Sequence, residues 1–414
     1  MLTKMNFTKE LNLKQNALWN AAGCFFYLGC QWIITVLVVI LADNFLDSGY
    51  LAFAMATGNV FAAVGLYKVR TYQVSDVNNE FSQNEYVGFR ILTIAVSACA
   101  SIIYIFASAT SVRALLVSFS YLLFKADESF NDVNFGCAQK EYRMDFIGRS
   151  QFMRGLLSVG LFAVAMEATH SIEVAVLFMA FGGIVITCVY DIKYTRHFGF
   201  TKPEINERLV KTLVIDLTLP MLANLLATSI VSVSRQLYGS ISGEEALGVY
   251  ASIATPAVLV QAGISYIYSP LLGKIAEIYV QHDSSEFKIY LRKIYFGMVL
   301  IVIVGAVALY IPGKSLLLTM YGVRIQPYLG TFLYVLLATG GVALLYFVND
   351  VLVIMRSRIS QIIINSLAFL CCVLSVPKAV SGLGMNGLNL SIGLSTVLFS
   401  LLGYVVANML SKDQ

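Results

Sequence analysis

Charge is scarce in this chain: 13% of its 414 residues are Asp, Glu, Lys or Arg, where a soluble domain carries about 25%. With 58% of the residues hydrophobic, no soluble core could hide the apolar side chains, so an ordinary soluble fold is excluded. Histidine is nearly absent too. His170, His197 and His282 are the three that occur, all in or beside predicted loops, which argues against a membrane acyltransferase built on a buried histidine. A glycan polymerase is disfavoured in the same way, because no outer segment is long enough for a large catalytic loop. Seven cysteines (Cys24, Cys30, Cys99, Cys137, Cys188, Cys371 and Cys372) show no CxxC spacing and no histidine partners. Neither a disulfide framework nor a zinc site is indicated; no metal, no cofactor, no catalytic residue and no nucleic-acid partner are expected.

What the chain does have is apolar runs of roughly 20 residues, enough to cross a hydrocarbon layer of about 30 Å. Hydropathy places spans near 16–41, 46–66, 87–109, 112–135, 147–167 and 170–190, then near 211–235, 247–272, 291–312, 327–350, 361–378 and 384–409. The fold class expected is all-α integral membrane, with twelve transmembrane helices. The start carries Lys4, Lys9 and Lys14 ahead of an apolar run too long for a signal-peptide core and without a small-residue cleavage site, so the first span is expected to stay.

Of the 28 Lys and Arg residues, 22 fall in, or at the span ends beside, alternate loops that a cytoplasmic N-terminus would place inside. Arg113, Lys314, Arg324 and Lys378 fall on the other side, and Lys125 and Arg235 inside spans. The positive-inside bias therefore predicts both termini in the cytoplasm. The polar loop of about 191–210, with Gly199 and Pro203, divides six spans from six. It suggests a hinge between an N-terminal bundle, 1–200, and a C-terminal bundle, 201–414. Six spans per half implies that any structural repeat is parallel, about an axis along the membrane normal. With short loops on both sides, function must lie between the helices.

Span 4 carries the densest polar signal, in SYLLFKADESFNDVNFGCAQKEYR. Counted from Arg113 at 1.5 Å per residue, Lys125 lies about 18 Å in and Asp132 about 28 Å in. At 100° per residue Lys125, Glu128, Ser129, Asp132 and Gln139 share one face, and Asp127, Asn131 and Asn134 another. A helix polar on two faces is not bathed in lipid. One reading makes Lys125 the contact for an anionic group in a watery vestibule, held by Glu128 or Asp132 when the site is empty. The other makes Lys125 and Glu128 a structural pair at i, i+3.

In span 7, Pro220 removes a backbone hydrogen bond and predicts a bend, and Arg235 near the outer end either receives a phosphate or snorkels to the interface. Asn16, Asn20, Gln31 and Trp32 in span 1 and Asn59 in span 2 are amides and an indole in apolar surroundings, read as helix contacts or as partners of a hydroxyl-rich ligand. The segment 273–293 mixes apolar and charged residues as an amphipathic surface helix would.

Three stretches carry a resemblance: VRTYQVSDVNNEFSQNEYVGFR between spans 2 and 3, KADESFNDVNFGCAQKEYRMDFIGRSQFMRGLLS through span 4 into span 5, and SRQLYGSISGEEALGVYASIATP from span 7 into span 8. With them the chain resembles the polysaccharide transport branch of the multidrug/oligosaccharidyl-lipid/polysaccharide flippase superfamily, the O-antigen and teichoic-acid export proteins. The family's Asp-Arg, loop, Gly-x-Tyr pattern is met by Arg235, Gly248 and Tyr250, while Ser234 stands in the acidic position. The resemblance implies two six-helix bundles around a central cavity in the plasma (inner) membrane of a bacterium. It implies flipping of an oligosaccharide on a polyprenyl pyrophosphate carrier to the outer leaflet, for lipopolysaccharide, teichoic acid or related surface polysaccharide. The cations available to the pyrophosphate are then Lys125, Arg235 and a cytoplasmic rim with Arg70 and Arg90, with Asn20 and Asn59 as further cavity residues. Glu128, Asp132, Asp127 and Pro220 are the candidates for ion coupling or gating, by a proton or sodium, and membrane lipids are the surrounding partners. The alternative is a cation-coupled multidrug or metabolite exporter of related architecture, with Glu128 or Asp132 as the ion site.

Overall fold

In a computed structural model, residues 11–42, 45–76, 79–281 and 284–411 are described. Among the described residues there is no strand, and the chain is a series of long helices. These are α1 (Leu13–Leu41), α2 (Leu46–Leu66), the short α3 (Val69–Ser75), α4 (Gln83–Ser108), α5 (Val112–Lys140), α6 (Met144–Thr169) and α7 (Ile172–Ile186). A π-helical turn, Thr187–Asp191, leads from α7 into α8 (Ile192–Thr195). There follow α9 (Glu207–Ser242), α10 (Glu244–Val280), α11 (Ser284–Tyr321), α12 (Phe332–Ile354), α13 (Arg358–Leu383) and α14 (Met385–Leu410). Lys4, Lys9, His282 and Lys412 lie outside the described residues.

Ten of the described helices are long and apolar enough to cross a membrane. Their outward residues are large and hydrophobic, among them Ile103 at 71%, Val112 at 74% and Leu374 at 76% exposure. Side chains so placed are stable against lipid tails and costly against water, and the protein is a multi-pass membrane protein. Local sequence sets several helix starts. Ser82 and Glu85 form a reciprocal capping box at the head of α4, and Ser111 and Ser171 accept from the amides of Ala114 and Val174 at the heads of α5 and α7. Each satisfies a backbone donor that the first helical turn leaves free.

By packing the chain divides into two compact units, one of residues up to Ile34 with Val64–Thr218, the other of Thr35–Ala63 with Leu219–Gln414. In the first, α5 packs against α3, α4, α6 and α7. In the second, α12 is the inner helix, packed against α10, α11 and α14, and its most apolar stretch is 72% buried. Two glycines bring α2 and α10 into backbone contact there. A Cβ on Gly49 would lie 1.9 Å from the Glu244 carbonyl oxygen, and one on Gly248 2.1 Å from that of Phe45. Small residues at such crossings are how membrane helices gain van der Waals contact.

One segment departs from the sequence reading, and a second is more firmly anchored than its polarity suggests. Segment 273–293 is no separate surface helix: α10 runs on to Val280 and α11 begins at Ser284. Its charges ride on the ends of two long helices, because neither end holds a residue that stops a helix. The loop after α7 does not hang free between two halves. Phe200 is buried in a cluster with Val69, Tyr86, Phe89, Val133 and Leu209, and the Asn84 side-chain amide donates to the Thr201 hydroxyl and accepts from the Thr201 backbone N–H, both at 2.9 Å. Along α9 the division between the two packed units falls between Thr218 and Leu219, one residue before Pro220.

Candidate functional site

The polar faces of α5 anchor two charge networks and a half-buried ion pair, all within the first unit. On one face Asp127 (6% side-chain exposure) meets Arg154 of α6 (2%), and Asp191 at the end of the π-helical turn lies 3.6 Å from the same guanidinium. Arg154 also donates to the Thr187 hydroxyl at 2.5 Å, and that hydroxyl donates to Asp127 at 2.7 Å. The Asn131 amide donates to Asp191 at 2.5 Å, and Asn134 to Asn131 at 3.2 Å. The three residues predicted to share this face thus converge on one buried cluster. Gly183 of α7 makes room for it, since a Cβ there would lie 2.8 Å from the Asp127 carboxylate. Two carboxylates facing one guanidinium leave an excess negative charge, and buried charge without a partner is expensive. The π-helical turn points both Thr187 and Asp191 into the cluster; such turns recur at functional sites.

The opposite face holds the second set. Lys125 donates to Glu128 at 2.7 Å, with 17% and 22% of the two side chains exposed. The Tyr27 hydroxyl of α1 donates to the other Glu128 oxygen. The Lys125 ammonium sits 5.7 Å from the Tyr121 ring and 5.8 Å from that of Phe124, within cation–π range. The i, i+3 pair therefore exists, and both of its side chains keep part of their surface exposed.

One turn further along, Asp132 (21% exposed) is held by Arg90 at 2.8 Å and Arg70 at 3.5 Å. Arg90 is fully buried and also donates to the Gly65 carbonyl at 2.7 Å, so it serves as an internal strut and not as part of an open rim. Arg70 is 27% exposed and donates to Gln139 at 2.9 Å. Beyond it, Asp76 at the end of α3 accepts from the amides of Glu80 (2.9 Å) and Phe81 (3.2 Å) and from the Tyr86 hydroxyl (3.0 Å), with Lys140 at 3.7 Å. Burial alone would raise this carboxyl, but those donors and the ammonium outweigh it and hold the group below its ordinary range. The strongly polar stretch 67–90 supplies contacts that fasten α2, α3, α4 and α5 together.

In the second unit Arg235 lies over the Tyr250 ring, 5.6 Å from its centroid, and Tyr250 donates to Asn389 at 2.9 Å. Arg235 is half-buried. Ser234, in the position where the family carries an acid, is fully buried against Cys372 at 3.2 Å. Asn59 of α2 is exposed, whereas its neighbour Thr57 accepts from Gln236 of α9 at 2.9 Å. In the first unit Asn20 is half-buried beside Cys24, and Asn16 ties α1 to α6 by accepting from the Met144 amide at 2.8 Å. Among the described residues no group of three or more His, Cys, Asp or Glu is placed to hold a metal ion.

Arg154 and Asp191 are not among the site residues expected from the sequence. Their signal was available: each is a charge bordered by apolar helix, Arg154 before GLLSVGLFAVAM and Asp191 after IVITCVY.

By fold the chain is similar to MATE-type membrane transporters. Over 99% of its length the chain is similar to an inward-facing multidrug resistance MATE family transporter of the MOP superfamily (TM-score 0.64, 12% identity, 96% of that chain covered). Over 97% it is similar to the outward-facing conformation of such a transporter (TM-score 0.64, 12% identity, 96% covered). No family model matches the chain. In sequence it is 24% identical over 298 residues to the capsular polysaccharide biosynthesis protein CapF of Staphylococcus aureus, which spans 71% of this chain and 73% of the relative. The two likenesses uphold the resemblance to the polysaccharide branch of the MOP superfamily.

Proposed function

We propose that the chain is a flippase that moves a lipid-linked oligosaccharide from the inner to the outer leaflet of a bacterial plasma membrane by alternating access. In this reading both termini are cytoplasmic, and bundles of residues 1–200 and 201–414 rock about a central cavity, bending at Pro220. Lys125 and Arg70 receive the pyrophosphate on the inner side and Arg235 on the outer. Asn20 and Asn59 meet sugar hydroxyls. No residue acts as a catalyst, because the cargo changes sides and not its bonds.

The observation that carries the reading is the Lys125–Glu128 pair, a cation held within an apolar span yet partly open. A charge in a span is retained where it marks a pathway, and an ammonium suits an anionic headgroup that must cross. The sequence relative, in capsular polysaccharide biosynthesis, supplies the cargo class. Deleting the gene in its host should abolish surface polysaccharide and leave the lipid-linked precursor accumulated. Restoring it with Lys125→Ala should recover less than about a tenth of wild-type export, the loss of one charged contact, while Lys125→Arg recovers most of it. Normal surface polysaccharide in the deletion strain would overturn the reading.

A second reading draws on the Asp127–Arg154–Asp191 cluster, whose two carboxylates about one guanidinium suit a coupling ion. It makes the chain a cation-coupled drug or metabolite exporter, and predicts drug sensitivity in the deletion strain with unchanged polysaccharide.

A further inference from the structure

A cavity of 590 Å³ opens in the second unit where α9 ends, α10 and α14 begin and the segment 323–331 crosses. This volume lies within the range of small-ligand pockets, about 300–1,000 Å³. Tyr238, buried at 3% exposure, and Tyr328, 38% exposed, both line it. Ser242, Glu245, Thr331 and Asn386 add a hydroxyl, a carboxylate, a second hydroxyl and an amide. The Asn386 carbonyl oxygen is buried without a hydrogen-bond partner. A buried acceptor left unpaired is costly, and a donor brought by a ligand would satisfy it. No lining residue is Lys or Arg, so the cavity is not built for phosphate.

Aromatic faces beside neutral and anionic acceptors, without a cation, match a ring that shows C–H bonds on its faces and hydroxyl donors round its edge. We propose that this cavity is a carbohydrate subsite, binding one or two uncharged sugar residues of the headgroup. The proposal deepens the flippase reading and rests on it for which glycan reaches the cavity. α9 supplies the link to the charged end of such a headgroup. Arg235, Tyr238 and Ser242 follow one another at i, i+3 and i+7 on one helix face, about 10 Å end to end. The Tyr250 ring touches both of the first two, 5.8 Å from the Tyr238 ring and beneath the Arg235 guanidinium. A phosphate at Arg235 and a sugar at Tyr238 would therefore be neighbours, as they are in a glycosyl phosphate. Basic loops flank the far ends of α9 and α13, so the subsite stands on the opposite, releasing side of the membrane.

The test uses the purified full chain in detergent and, as probe, the oligosaccharide repeat released by mild acid from the host's own surface polysaccharide, free of lipid and phosphate. Saturation-transfer NMR should show magnetisation passing from protein to sugar ring protons. Ala246→Trp, which fills the cavity without removing a hydrogen bond, and Asn386→Leu should each weaken binding by about tenfold or more, with elution as a monodisperse peak confirming that the variants are folded. No transfer to the wild-type chain, transfer unchanged in folded variants, or transfer to an organic cation such as tetraphenylphosphonium in place of the sugar would overturn the subsite. Export is scored separately, by the deletion strain. A chain that exports glycan yet binds no free repeat loses the subsite alone; a chain that exports none loses the function.

Discussion

At the residue scale, the span-4 charges separate by face into fastening and access. Asp127, at 6% exposure, is committed to Arg154 and Thr187, whereas Lys125 and Glu128, within two residues of it, remain partly exposed. Arg154→Met would strand two carboxylates in a low-dielectric site and should cost about 3–5 kcal/mol, read as a fall in melting temperature of the detergent-solubilised protein. Adding Asp127→Asn should return part of that loss; a double variant as unstable as the single one would contradict the pairing. Asp76 makes a pH prediction. Its carboxyl is held below the ordinary range, so it lends stability above the unfolded value of about 3.9, and that stability fades as pH falls toward the lower folded value. The wild-type melting temperature should therefore fall more steeply below about pH 4 than that of Asp76→Asn. Parallel curves would show that the Asp76 contacts add nothing. Helical geometry made the two faces of span 4 legible in the sequence, because 100° per residue needs no tertiary information. The partners Arg154 and Asp191 were not, since which helices lie beside α5 is decided by packing.

At the scale of elements, helix existence was legible and helix reach was not. Apolar length alone marked where the long helices lie, but α11 continues through Pro312 to Tyr321 and α10 continues past the apolar run to Val280. A proline is tolerated inside a membrane helix because neighbouring groups can satisfy the carbonyl it frees, so Pro312 was a poor terminator. The α2–α10 crossing was invisible in hydropathy, which scores glycine as neutral and says nothing of close approach. Gly248→Leu must push an entire side chain into the Phe45 carbonyl, and overpacking of this kind costs about 1–3 kcal/mol or more. Its expected outcome is a sharp drop in folded protein recovered from membranes, with Gly297→Leu, where a Cβ meets nothing within 4 Å, as the tolerated control. Equal recovery of both variants would mean that the crossing is looser than described.

At the scale of the whole molecule, transport is an inference from fold, from the half-open Lys125 pair and from a relative in capsule biosynthesis. The membrane character followed from composition, because 58% hydrophobic residues can be covered only by lipid. The packing of the chain did not. Segment 191–210 is polar and contains Gly199 and Pro203, yet Phe200 is buried in the core of the first unit. A single buried aromatic outweighed the polar residues around it, which composition cannot anticipate. The most direct test of the central claim is transbilayer movement in proteoliposomes that carry a polyprenyl-pyrophosphate oligosaccharide on one leaflet, followed by the sugar's accessibility to a glycosidase outside. The account predicts movement well above protein-free liposomes for the wild-type chain, and about tenfold slower movement for Lys125→Ala. Movement no faster than in protein-free liposomes, with the chain folded and inserted, would contradict it.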